Sequence, residues 1–183
     1  GRDLLVFNYI SVTDSQLHII DITTGAIRQV TRDATPVAYG NLQFAPDGRL
    51  WVSSDKDSDV QRLGVLDTET GQFTPMIDGG RWDISNFDIA KDGKTVAYVI
   101  NEAGFSCLHL YDVATGASRL VTGLPPGEIG SGMKFAPWGT LGLTVYSNQS
   151  PGDAYSLDPE TLQITRWTQS ETGGLDPAAN VVP

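Results

Sequence analysis

The sequence repeats itself every 45 or 46 residues, and that period restricts the chain's folds more than any other feature. One anchor is Asp-x-x-Thr-Gly, at Asp21–Gly25, Asp67–Gly71 and Asp112–Gly116, with a degenerate copy at Asp158–Leu162. Its aspartates are 46, 45 and 46 residues apart. A second anchor is Phe44-Ala45-Pro46-Asp47-Gly48, then Ile89-Ala90-Lys91-Asp92-Gly93, then Phe135-Ala136-Pro137-Trp138-Gly139. Its glycines are 45 and 46 residues apart. Two independent anchors on one period mark a structural repeat, which must be read before any local feature.

Each unit reads as four short strands. The first runs into the Pro-Asp-Gly turn, as in Leu42–Ala45. The second follows it, at Leu50–Ser53, Thr95–Ile100 and Leu141–Tyr146. The third precedes the Asp anchor, at Leu17–Ile20, Leu63–Leu66, Leu108–Tyr111 and Ala154–Leu157. The fourth follows the Thr-Gly, at Ile27–Val30, Phe73–Ile77, Ser118–Val121 and Ile164–Trp167. Asp47-Gly48, Asp92-Gly93 and Gly139 on one side, and Gly25, Gly71 and Gly116 on the other, supply the positive φ that tight hairpins need. Third strands apolar at nearly every residue predict cover on both faces. Fourth strands alternate, and one holds Pro75, which suits an edge.

Four-stranded antiparallel units of this length describe β-propeller blades. The expected fold is therefore all-β, with about four blades near 1–40, 41–85, 86–131 and 132–172 and a tail over 173–183. Unit one lacks its first strand, because Asp3–Ile10 already reads as a second strand. Tandem β-sandwiches are the rival, but they need about 100 residues each. No apolar 3.6-residue period is long enough to predict a buried helix.

Phe44–Gly48 resembles the Phe-Ser-Pro-Asp-Gly turn of propellers in TolB-like proteins and prolyl-oligopeptidase relatives. Trp82-Asp83-Ile84, Asp92–Tyr98, Asn101–Gly104, Leu124–Gly127 and Thr168–Pro177 are similar to the late blades of prolyl-oligopeptidase-family propellers, including dipeptidyl-aminopeptidase and acylaminoacyl-peptidase types. The resemblance implies a non-catalytic propeller that caps a serine peptidase's active site and restricts entry to short peptides. It implies as partners the hydrolase domain and remaining blades of a parent chain, and a peptide substrate. The tail then corresponds to the linker toward the hydrolase domain. The alternative is a stand-alone TolB-like scaffold that binds other proteins.

The chain carries no catalytic set of its own by this reading. No Gly-x-Ser-x-Gly elbow occurs, and Ser131 lies in Gly130-Ser131-Gly132, which is not that motif. His18 and His109 occupy the same register of separate units, a poor basis for one site. A propeller lactonase or lyase would need metal ligands converging on a channel, and two histidines offer no such set. Asp55-Lys56-Asp57-Ser58-Asp59 spaces three carboxylates like the start of a calcium loop, but Val60 stands where that loop needs glycine. A solvated loop is the better reading there, and no metal or cofactor is expected. Asn101–Gly104 reads as a turn, with Glu102 as a candidate acid toward a substrate's amino terminus. Cys107 has no neighbouring cation to activate it. Trp51, Trp82, Trp138 and Trp167 are expected to pack between blades. Trp138 and Leu162, in place of turn Asp and turn Gly, predict altered hairpins in unit four.

The net charge of −10 gives no footprint for nucleic acid or for anionic membrane surfaces. One cysteine excludes an intrachain disulfide and leans toward a reducing compartment. Gly1–Leu5 runs straight into a strand-like pattern instead of a signal peptide. A cytoplasmic location is the expectation, with the periplasm as the alternative. End blades with uncovered faces, carrying Leu17, Ile19 and Ile20 at one end and Ala154 and Leu157 at the other, predict a homodimer that completes a ring.

Overall fold

A computed structural model describes residues 3–181. The chain divides into two compact units, Gly1–Asp83 and Ile84–Pro183.

The first unit holds two antiparallel sheets. Sheet one is β1 (Asp3–Ser11), β2 (Asp14–Asp21) and β3 (Ile27–Gln29), in that order. Sheet two is β4 (Tyr39–Phe44), β5 (Leu50–Ser54), β6 (Arg62–Leu66) and β7 (Phe73–Ile77). Leu17 and Ile19 of sheet one, with Val30 just beyond β3, pack on Tyr39, Leu50, Val52 and Leu66 to form one apolar core. Burial of a side chain such as Leu17 stabilises the fold by about 1.5–3 kcal/mol.

The second unit repeats the plan. Sheet three is β8 (Ile84–Ile89), β9 (Thr95–Glu102), β10 (Phe105–Asp112) and β11 (Ser118–Leu120). Sheet four has its first strand broken into β12 (Glu128–Ile129) and β13 (Lys134–Phe135), both pairing with β14 (Leu141–Ser147). It continues through β15 (Ser150–Leu157) and β16 (Ile164–Arg166). Its core runs through Val99, Leu108, Leu110, Phe135, Leu141 and Leu157. A short 3-10 turn at Pro177–Ala179 is the sole helical element among the described residues. Sheets two, three and four begin at Tyr39, Ile84 and Glu128, a few residues before the blade starts expected at 41, 86 and 132.

The Asp anchor is a self-contained turn, held by its own side chain and backbone. Each of Asp21, Asp67, Asp112 and Asp158 accepts, through Oδ1, the N–H groups two and three residues on, at 2.8–3.1 Å. These bonds stabilise the carboxylate and hold Asp67, Asp112 and Asp158 below the usual carboxylate range. The turn closes when Gly25, Gly71, Gly116 or Leu162 donates its N–H back to the anchor's carbonyl, at 2.8–2.9 Å. Gly71 is required twice over, since its φ is +73° and a Cβ there would meet the Val30 carbonyl oxygen at 2.5 Å.

The hairpins of unit four keep their backbone closure, and the alteration is confined to Trp138, which lacks the Oδ1 that at Asp47 and Asp92 accepts the N–H two residues on, at 3.0 Å. Leu162 adopts φ 61° and keeps the bond to Asp158, while Gly139 keeps φ 99° and its bond to Ala136. The closing bond runs from backbone N–H to backbone carbonyl, so it survives the change of side chain at positions 138 and 162. Trp138 simply projects into solvent, 80% exposed.

In sheets two and three the doubly buried strand is the second, not the third, whereas β14 alternates buried and half-buried residues through Val145. β5 is buried at every residue and β9 from Val96 to Ile100. The third strands β2, β10 and β15 mostly alternate buried with half-buried residues. They border outer strands of only three residues, which leave one face near the rim. The expected edge position of Pro75 is found on β7, where a bulge brings the Thr74 carbonyl to 2.3 Å of where a Cβ on Gly64 would lie. The end faces also differ from expectation: Leu17, Ile19 and Leu157 are buried inside their own units. Of the tryptophans, only Trp51 is buried; Trp82, Trp138 and Trp167 lie at the surface.

Candidate functional site

In the second unit a cavity of about 420 Å³ opens beside the β9–β10 and β14–β15 hairpins. Phe105, Pro126, Glu128, Tyr146 and Asn148 line it. The β9–β10 turn is set by Ala103 at φ 52° and Gly104 at φ 94°, whose N–H donates to Asn101 Oδ1 at 2.9 Å. Two hydrogen bonds tie β10 to the segment that carries Gly127 and Glu128. Ser106 N–H donates to the Gly127 carbonyl, and Ile129 N–H donates to Ser106 Oγ, both at 2.9 Å. The tail reaches the rim, where Asn180 donates to the Asn148 carbonyl at 2.7 Å.

Tyr146 is the organising side chain. A Cβ on Gly152 would lie 2.6 Å from its ring, one on Gly130 2.9 Å from it, and one on Gly127 2.1 Å from its carbonyl oxygen. Three glycines therefore form a slot that only bare backbone allows. The ring is held there and remains 45% exposed on its other side. Aromatic, proline and carbonyl surfaces with one carboxylate, Glu128, suit the binding of an extended chain or an amine. Among the described residues its walls hold no histidine, and Ser147 Oγ there accepts the Gln149 N–H at 3.2 Å.

The residues singled out in the sequence do not converge. His109 stacks on Tyr98 with ring centroids 5.0 Å apart, and its Nδ1 lies 3.2 Å from the Cys107 carbonyl. His18 is a half-buried strand residue of the other unit. Ser131 lies in the break between β12 and β13. Asp55 is turned inward, where its Oδ1 accepts the Ala38 N–H at 2.8 Å. Lys56 pairs with Asp33 at 2.7 Å, and Asp57 adopts φ 56°. Among the described residues, no group of three or more His, Cys, Asp or Glu side chains is placed to hold a metal ion. Cys107 is half-buried, and burial together with nearby Glu102 pushes its thiol up. In the first unit, a further open cavity of about 650 Å³ lies over Leu50, Val65 and Met76, with Arg49 on its rim paired to Asp47 at 2.7 Å.

Two buried carboxylates escaped the sequence reading. Asp88 on β8 accepts Lys134 Nζ and the Phe135 N–H of β13, both at 2.6 Å, and so ties sheet three to sheet four. Asp153 on β15 accepts from Ser150 Oγ at 2.5 Å, Arg166 at 2.7 Å, the Ser170 N–H at 2.8 Å and Thr168 Oγ1 at 3.1 Å. These bonds, the Ser150 hydroxyl first, hold its carboxyl down at about 2. The available signal was an aspartate between Phe87 and Ile89 on β8 and one in the register of Tyr155 and Leu157 on β15.

Comparison with solved structures decides the fold. Puromycin hydrolase matches with a TM-score of 0.82 at 18% identity, over 98% of this chain and 29% of its own. Prolyl oligopeptidase B from Galerina marginata, bound to a 35mer hydrolysis and macrocyclization substrate, matches at 0.80 and 13% identity, over 97% of this chain and 26% of its own. The fold is a β-propeller fold. TolB from Acinetobacter baumannii matches at 0.70 and 17% identity, over 94% of this chain and 42% of its own. The chain thus spans between about a quarter and two fifths of these proteins. No family model and no curated protein matches the sequence.

Proposed function

We propose that the chain is the non-catalytic propeller portion of a prolyl-oligopeptidase-type serine peptidase. In this role it caps the active site of a hydrolase domain and admits short peptides. The observation that carries the reading is the match over 97–98% of the chain to puromycin hydrolase and prolyl oligopeptidase B, at TM-scores of 0.80–0.82. The motifs of residues 82–177 support it. The parent reaction is acyl transfer from a peptide bond to water, at a serine outside this chain. Its substrates carry a free or acylated amino terminus, and the Tyr146 cavity is a surface that such a peptide can meet on the way in. The cytoplasm is the proposed compartment.

The TolB match favours a second reading, a protein-binding scaffold with no enzyme attached. A serine-reactive fluorophosphonate applied to the natural gene product separates the two. Labelling of a larger product at a serine outside residues 1–183 supports the peptidase reading. A product that contains these residues, has no hydrolase domain and takes no label supports the scaffold.

A further inference from the structure

Three of the chain's cations gather around one small cavity of the first unit. The cavity, of about 190 Å³, lies where the outer strand of sheet one meets the turns of sheet two. Arg28 of β3, Arg32 of the segment that follows it and Lys56 of the β5–β6 turn line it, together with Asp33 and Glu69. Three cations against two carboxylates leave this spot positive in a chain of net charge −10.

Two of the cations are held in place. Asp33 Oδ1 pairs with Lys56 Nζ at 2.7 Å, and Asp33 Oδ2 accepts the Tyr39 hydroxyl at 2.9 Å, so both carboxylate oxygens are engaged. The Lys56 side chain is only 26% exposed. Arg28 donates to the Thr68 carbonyl and, at 2.9 Å, to Glu69 Oε1. An ammonium has three N–H donors and a guanidinium five, so each keeps donors to spare. Arg32 makes no ion pair or hydrogen bond among the described residues. Thr70 Oγ1 accepts the Gln72 N–H at 3.3 Å and keeps its own proton to donate.

The repeat separates what the fold needs from what it does not. Arg28 stands seven residues after Asp21, and Arg119 stands seven after Asp112. Both donate to the carbonyl of the residue next to the following anchor, Thr68 and Pro159, and so latch neighbouring sheets together. Arg32 has no such counterpart, since Asp78 and Gly123 hold its place in the next two repeats. Lys56 has none either, because Ile10, Asn101 and Ser147 stand where it does relative to the other anchors. Blade packing therefore does not require these two cations.

We propose that this cavity binds a tetrahedral oxyanion of the phosphate type, free or as the phosphoryl group of a peptide. Lys56 and Arg32 are its charged ligands, Arg28 and the Thr70 hydroxyl add donors, and the bound group ties sheet one to sheet two. A carboxylate offers two oxygens in one plane and suits a single guanidinium, whereas a tetrahedral dianion offers three and can engage cations from separate segments. The cavity is smaller than the roughly 300–1,000 Å³ of sites for drug-sized ligands, so it takes the anionic group itself and not a nucleotide. The inference rests on the first unit alone and is independent of the peptidase reading.

The test titrates the full chain with inorganic phosphate, balanced with chloride to fixed ionic strength, and follows amide chemical shifts and thermal melts. Saturable shifts are expected at Arg32, Lys56 and Thr70. Phosphate at roughly ten times its dissociation constant should raise the melting temperature by about 3–6 °C. Arg32→Gln should weaken binding by about fivefold or more while the melting temperature in chloride holds, and Arg119→Gln should leave the affinity unchanged. A capped peptide bearing one phosphoserine is the second probe. Tighter binding than phosphate assigns the site to a protein-borne phosphoryl group, and equal or weaker binding assigns it to the free ion. Four results would each overturn the proposal: no saturable shift, an equal response to acetate, shifts spread over Arg49, Lys91 and Lys94, or unchanged affinity in Arg32→Gln.

Discussion

Removal of the Asp88 carboxylate separates a buried backbone tie from a surface ion pair. Asp88 is 1% exposed and Phe135 3% exposed, so Asp88→Ala leaves the Phe135 N–H buried without its acceptor. Hydrogen bonds to a charged group contribute about 1.5–3 kcal/mol, and an orphaned buried donor costs about 1–3 kcal/mol. These descriptions overlap, so the expected loss is about 2–4 kcal/mol. The Lys134 side chain is 67% exposed, and its pair with Asp88 is worth below about 1 kcal/mol. Lys134→Met should therefore cost little, and Asp88→Asn, which keeps an acceptor for Phe135, should fall between the two. Urea titration followed by tryptophan fluorescence reads this directly. With a slope of about 2 kcal/mol/M, in the middle of the usual range, Asp88→Ala should lower the midpoint by about 1–2 M. Equal losses for Asp88→Ala and Lys134→Met would refute the claim that the backbone bond, and not the ion pair, joins sheets three and four.

Gly71→Ala should destabilise the chain by about 1–2 kcal/mol more than Gly25→Ala in thermal melts, because both adopt φ 73° but only Gly71 faces a carbonyl at contact distance. The Asp153 carboxyl, ordinarily near 3.8, is held at about 2 in the fold. Its contribution is thus present above about pH 4 and lost as pH falls from 4 toward 2. The melting difference between the natural chain and Asp153→Asn should close over that window. The Cys107 thiol, raised by burial and Glu102, should react slowly with a disulfide reagent at pH 8, and Glu102→Gln should quicken it.

The repeat was legible because turns obey local chemistry. Asp-x-x-Thr-Gly and Pro-Asp-Gly mark hairpins that the backbone then closes, and the missing first strand of sheet one was visible as Asp3–Ile10 arriving already in second-strand register. Burial was less legible. Leu17, Ile19 and Leu157 were assigned to open faces, yet each points into the core of its own unit, since a period of two tells which residues share a face but not which face is covered. Trp138 and Trp167 misled for the same reason, as size alone does not place a side chain inside. The candidate cavity was hidden further, because it depends on Gly127 and Gly130, at the two ends of β12, meeting Gly152 of β15 around Tyr146.

The central functional claim is that a serine outside these residues does the chemistry. Fluorophosphonate labelling of the natural gene product, with the labelled peptide identified by mass spectrometry, measures it. The account predicts one labelled serine, lying outside residues 1–183, and no label on the isolated chain. A label on Ser131 or any other serine of this chain, or no label on the natural product at all, would contradict it.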